Sequence, residues 1–194
     1  MLRSLALSML RPGGGAHAAD LEIARDFFSS DSPAMIEQAQ GNPPAAIVRA
    51  ADGRILGHAF STYDVSGSVG YAGRPLDIVA AITPEGIIAG ARIVAHEEPI
   101  LVIGIPSAAL AAYVAGFKGF DIRAGAEPRQ TNDLARGPHA VAGATVTSTV
   151  IRDAIVRSAR TIWRGRGAAA ENVTRLDRET LRRSAWHSLL AEGA

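Results

Sequence analysis

PLDIVAAIT at residues 75–83 and IIAGARIV at residues 87–94 flank the tripeptide Pro84-Glu85-Gly86. Each run is rich in Ile, Val and Ala and too short for a stable helix, and proline with glycine between them sets a tight reversal. The pair therefore predicts an antiparallel β-hairpin. The same arrangement recurs upstream, where Ala45–Arg49 and Arg54–Ser61 flank a turn built on Asp52-Gly53. Between the two hairpins, Thr62–Arg74 is polar and spaced by glycines, and reads as a loop. Before the first hairpin, Leu21–Gln40 carries two short helical patterns, the second introduced by Asp31-Ser32-Pro33. The expectation is about four strands in antiparallel pairs.

Downstream the periodicity changes. Ile100–Phe117 carries no charged side chain and borders on the length of a membrane helix. Gly104 and Pro106 break its first half, and its second half is mostly alanine. It reads instead as a buried extended piece followed by a core helix opening at Pro106, where proline suits the first turn. A long loop follows from Lys118 to His139. The clearest helix comes next: Val150, Ile151, Ala154, Ile155, Ala159, Ile162 and Trp163 fall on one face, with Arg152, Arg157, Arg160 and Arg164 on a solvated one. Gly165 and Gly167 end it. A sheet followed by helices, without regular β–α alternation, gives an α+β fold, an antiparallel sheet with flanking helices. The expected organisation is a signal-like stretch at 1–18, a helical extension at 19–44, the main domain at 45–165 and a helical tail at 166–194.

The chain has 194 residues, room for one domain with short extensions, and 47% hydrophobic content supports a packed core. It has no cysteine, which excludes iron–sulfur clusters, thiolate zinc sites, disulfides and thiol nucleophiles. With 20 basic against 19 acidic residues the charge is too balanced for a general nucleic-acid binder, so no nucleic acid is expected. At the N-terminus, Arg3, the apolar stretch Leu5–Leu10 and Ala16-His17-Ala18 are similar to an export signal ending in A-x-A.

AVAGATVTS, residues 140–148, stands directly before the last helix. Gly143 and Ala144 allow close approach to the backbone, while Thr145, Thr147, Ser148 and Thr149 bring hydroxyls to a helix N-terminus that favours a phosphate. The same residues also suit a plain helix cap, with Thr147 or Ser148 accepting an N–H bond. A second cluster, His96-Glu97-Glu98, could suggest a metal or acid–base work. Adjacent glutamates diverge, however, and no other histidine stands at ligand spacing, so neither a metal site nor a catalytic constellation is expected.

Ala142-Gly143-Ala144-Thr145-Val146-Thr147-Ser148 followed by Val150-Ile151 resembles the covalent-FMN motif, usually S-G-A-T, of the FMN-binding domain family. His96-Glu97-Glu98-Pro99-Ile100 through Gly104-Ile105-Pro106 is similar to the NosR-type version of that family, as are Gly70–Ile78 and Arg157–Arg160. The resemblance implies an FMN-binding-type α+β fold and FMN joined to Thr145 by a phosphoester, installed by a flavin transferase outside the cytoplasm. Gly143, Ala144, Thr147 and Ser148 would surround the phosphate. His96, Glu97, Glu98, Pro99 and Ile100 would form a loop beside the isoalloxazine, with Gly104 and Ile105 as close walls; Tyr63 and Tyr71 are candidates to stack on it. It further implies a periplasmic electron-transfer module that supplies nitrous oxide reductase or supports its maturation. The module would belong to a larger protein anchored in the inner membrane through segments outside this chain. Ala142 replaces the family serine, and His139 stands where an acidic residue is usual. Those two positions keep open a flavin-free interaction module of the same fold.

Overall fold

The computed structural model describes residues 18–28, 35–97, 104–123 and 137–166. Within them the elements run α1 (Ala18–Leu21), a 3-10 helix (Glu22–Phe28), β1 (Met35–Ile36), β2 (Ala46–Arg49), β3 (Ile55–Ser61), α2 (Thr62–Ser66), β4 (Leu76–Ile82), β5 (Ile88–His96), α3 (Ser107–Ala115) and α4 (Thr145–Arg166). The strands form one antiparallel sheet in sequence order, β1-β2-β3-β4-β5. This is the α+β architecture that the hairpins predict.

β4 explains why the sheet has helices on both sides. Every residue from Leu76 to Ile82 is buried, so this strand must be covered on both faces. On one face Leu76, Ile78, Ala80 and Ile82 join Phe60, Ile88 and the buried stripe of α4, Ile151, Ile155, Ala159 and Ile162, together with Leu110, Tyr113 and Val114 of α3. On the other, Val79 and Ala81 join Val48, Ala59, Leu21, Ala24 and Phe28. A Cβ at Gly90 would lie 2.5 Å from the Phe27 ring, so that glycine lets the 3-10 helix sit directly on β5.

Four local expectations change. The second helical pattern before residue 40 is β1, a two-residue edge strand pairing Met35 with Arg49 and Ile36 with Val48, so the sheet has five strands. Glu37 accepts from Arg49 Nε at 2.5 Å beside it. The loop after β3 begins with α2, whose N-cap Ser61 accepts the Asp64 N–H at 3.1 Å. The long loop after α3 begins as packed chain: Ile88 N–H donates to the Phe120 carbonyl at 2.9 Å and Ile122 N–H to the Gly86 carbonyl at 3.0 Å, extending the β5 edge. The arginine row is only partly solvated. Arg160 Nε donates to the Ile122 carbonyl at 3.1 Å, and the Arg152 guanidinium lies 5.2 Å from the Phe120 ring centroid, so both fasten that segment to α4.

α2 is tied down by hydroxyls. Thr62 Oγ1 accepts the Ile78 N–H at 3.1 Å and pairs with Ser68 Oγ at 3.0 Å, and Ser68 Oγ donates to the Leu76 carbonyl at 2.6 Å. Ser158 Oγ donates to Ser66 Oγ at 3.0 Å, joining α4 to α2. Asp77, buried beside this network, accepts from Ser61 Oγ at 2.6 Å and the Tyr63 N–H at 3.3 Å. Burial pushes its carboxyl above the ordinary range despite those bonds. Among the described residues no helix is long and apolar enough to cross a membrane. The signal-like stretch up to residue 17 and the tail from residue 167 lie outside the described residues.

Candidate functional site

α3 opens at Pro106 as expected, with Leu110, Tyr113 and Val114 buried. It brings Tyr113 under the start of α4, where the phenol donates to the Ser148 carbonyl at 2.9 Å. Burial pushes the Tyr113 hydroxyl up, more than Arg152 opposes it, so it remains a protonated donor.

The turn before α4 is closed by three bonds. Ala144 N–H donates to the Val141 carbonyl at 2.9 Å, Ser148 N–H to the Ala144 carbonyl at 2.8 Å, and Val141 N–H to Ser148 Oγ at 3.0 Å. Ser148 Oγ therefore holds an N–H of the preceding turn from inside the helix, rather than capping an N–H of the helix's first turn. Gly143 has φ +78, and a Cβ there would stand 3.5 Å from the Ile105 side chain. The turn thus joins two predicted site segments, with Ile105 and Val141 packed on the same core.

The hydroxyls divide by exposure. Thr147 and Ser148 are 4% and 0% exposed. Thr145 and Thr149 are exposed, and Thr149 Oγ1 donates to the Thr145 carbonyl at 2.9 Å. Ala144 is buried, while His139 and Ala142 are exposed. Helix geometry leaves the N–H groups of the first turn without intrahelical acceptors. The first turn also has no acidic side chain to offset the positive end of the dipole. An exposed hydroxyl, a side-chain-free approach at Gly143 and a first helical turn without acidic side chains fit a phosphate ester.

His96 closes β5 opposite Leu76 and is half-buried. Glu97 pairs with Arg74 at 3.5 Å, both well exposed, an ion pair of little energetic weight that ties the end of β5 to the turn before β4. Tyr71 is on that turn and 64% exposed, whereas Tyr63 is half-buried in α2. Gly104 is exposed and Ile105 half-buried. Glu98, Pro99 and Ile100 lie outside the described residues. Among the described residues no group of three His, Asp or Glu side chains is gathered to hold a metal.

Two clefts lie apart from this turn. One, of about 120 Å³, runs between Ser66–Val69 and Val150, Asp153, Ala154 and Arg157. The other, of about 380 Å³, is at the hairpin end of the sheet, between Phe27, Ile55, Pro84 and Lys118. Neither is lined by Thr145, His96 or Glu97.

Sequence reading missed Arg166. Its guanidinium donates to the carbonyls of Ala45 at 2.9 Å, Pro43 at 2.7 Å and Gln40, at the far end of α4 from the turn. The only signal was a basic residue in the last helical turn.

Fold and site together define an α+β domain that presents a threonine hydroxyl at the head of its longest helix. No family model matches the chain. It is 41% identical to Protein NirI of Paracoccus denitrificans over 177 residues, 91% of this chain and 25% of NirI. It is 30% identical to Regulatory protein NosR of Pseudomonas aeruginosa over 200 aligned positions, 97% of this chain and 28% of that protein. Against Regulatory protein NosR of Stutzerimonas stutzeri the identity is 29% over 185 positions, 92% and 25% respectively. The chain spans about a quarter of the length of the relatives it matches. These likenesses support a NosR-like family for the chain.

Proposed function

We propose that this chain is the FMN-bearing, extracytoplasmic electron-transfer segment of a NosR-like protein, with the flavin phosphate esterified to Thr145. One observation carries the attachment site. Of the hydroxyls in the motif, Thr147 and Ser148 are buried and the Thr149 hydroxyl is spent on a carbonyl, whereas Thr145 is exposed at the first position of α4.

Bound FMN supplies one- and two-electron redox chemistry. The residues of this chain hold and orient it. The N-terminal turn of α4 stabilises the phosphodiester charge, Gly143 lets the phosphate approach the backbone, and Ile105 offers an apolar wall. His96 at the end of β5 and Glu97 after it would face the ring, and the motif assigns Glu98, Pro99 and Ile100, which lie outside the described residues, to the same role. A covalent link suits an exported redox cofactor, because one that was lost could not easily be replaced there. Nitrous oxide reductase or its maturation factors would be the partner, and a flavin transferase the modifying enzyme. Membrane attachment would come through other parts of the protein.

The test is the intact mass and visible spectrum of protein exported together with a flavin transferase, beside Thr145→Val. An FMN-sized increment that disappears in the variant is the expected result. A yellow protein of unmodified mass would replace the ester with tight non-covalent binding. A colourless protein that takes up no added FMN would refute the redox reading and leave a flavin-free interaction module. Stopped-flow mixing of the reduced domain with nitrous oxide reductase tests the partner separately: electron transfer is expected, and neither binding nor transfer would remove that partner.

A further inference from the structure

Two of the three bonds that close the turn presenting Thr145 are made by one residue, Ser148. Ser148 is fully buried, and its side chain and both backbone groups serve the turn or its support. Its Oγ holds the Val141 N–H, its N–H holds the Ala144 carbonyl, and its carbonyl takes the Tyr113 hydroxyl. Tyr113 is in turn set edge-on against Phe117, with ring centroids 5.4 Å apart, and is 5% exposed. The chain of contacts runs from the α3 core through Ser148 to both ends of the Val141–Ala144 turn. Removing the Ser148 hydroxyl frees the Val141 N–H, and removing the Tyr113 hydroxyl frees the Ser148 carbonyl from α3; neither change touches Thr145.

We propose that Ser148 and Tyr113 are positioning residues for modification of Thr145, and that the folded turn, not an unfolded chain, is what the transferase acts on. This rests on the flavin reading above. The step itself balances with a flavin dinucleotide as donor. Thr145 Oγ attacks the flavin-side phosphorus and forms the Oγ–P bond. The P–O bond of the pyrophosphate breaks, AMP leaves, and the hydroxyl proton passes to a base of the transferase. Attack of this kind needs the oxygen held in line with the leaving group, and small misplacement of a nucleophile costs rate steeply. A turn closed by half-buried bonds holds Thr145 in place before the enzyme arrives.

The experiment measures initial rates of FMN attachment to full-length purified chain, using a flavin transferase and FAD, for wild type, Ser148→Ala, Tyr113→Phe and Ser158→Ala. Ser158 is the control: it is equally buried on the same helix, but its hydroxyl goes to Ser66 and not to the turn. Ser148→Ala and Tyr113→Phe are expected to lower the maximal rate roughly 10- to 100-fold, with little change in the concentration of chain giving half the maximal rate. Ser158→Ala should react as wild type does even where its melting temperature falls as far. Tyr113→Phe keeps the ring and its packing, so it decides the matter if Ser148→Ala does not fold. Equal rates in all three variants overturn the proposal while the flavin reading stands. Faster attachment in Ser148→Ala also overturns it, because a loosened chain would then be the better substrate. A wild-type chain never modified at Thr145 refutes both.

Discussion

At its C-terminal end α4 sends Arg166 onto the carbonyls of Gln40, Pro43 and Ala45, and Trp163 Nε1 onto the Pro84 carbonyl at 2.9 Å. At its N-terminal end it presents Thr145 and Val146 to solvent, with no acidic side chain in the first turn. One end is anchored to the rest of the fold by its own donor side chains, with basic residues where the dipole favours them. The other has a hydrogen-bonded turn beneath it and no acidic side chain in its own first turn. The contrast separates the residues that hold the fold from the residues offered to a ligand, and substitutions at the two ends should separate in the same way.

The largest effect expected is at the open end. Thr145→Val should abolish FMN attachment entirely while changing unfolding free energy by less than about 0.5 kcal/mol, since the side chain is exposed; intact mass and urea denaturation measure the two. Arg166→Ala should do the reverse. It removes a charged donor from three carbonyls and should cost about 2 kcal/mol in urea unfolding, with attachment at Thr145 unaffected. If attachment fell with it, the two ends would not be separable. Gly143→Ala should cost about 1 kcal/mol because φ is +78, and should slow attachment as well, marking the turn as the place where fold and site meet.

The smallest effect is a pH dependence at the closed end. Burial first, and the nearby Arg166 charge second, lower the His58 pKa below its ordinary 6.5. The unfolded chain then binds the proton more readily than the folded one. Stability should therefore fall as pH drops below about 6.5 and level off once pH passes under the folded value. His58→Gln should remove that part of the slope in thermal midpoints taken across the range, and an unchanged slope would detach His58 from it.

The hairpins were legible because their turns carry Pro84-Glu85-Gly86 and Asp52-Gly53 between β-rich runs. β1 was not. Two residues hold no periodicity, and Asp31-Ser32-Pro33 points toward a helix, so pairing with β2 overrode the local signal. α2 left a trace that could have been read, a Ser61-x-x-Asp64 start in which Ser61 caps the Asp64 N–H. The packed start of the long loop was also visible in Phe117, Phe120 and Ile122, whose apolar spacing does not suit a solvated segment. Arg166 was illegible for a different reason: its partners are more than a hundred positions away, and no local pattern encodes them.

At the site, the motif was legible but the division of labour within it was not drawn. Helical spacing puts Ser148 on the stripe of Ile151, Ile155, Ser158 and Ile162, all buried. Thr145 and Thr149 are exposed. Thr145 and Ser148 are only three positions apart, so the period alone does not separate them; their burial does, with Ser148 buried and Thr145 exposed.

Trypsin should release residues 137–152 as a single peptide, because Arg136 and Arg152 bound a stretch with no other basic cleavage site. Fragmentation of that peptide, from protein exported with a flavin transferase, tests the account most directly. The account predicts an FMN-sized increment on every fragment containing Thr145 and on none that holds only Thr147, Ser148 and Thr149. An increment on one of those residues, or no increment anywhere in the peptide, would contradict it.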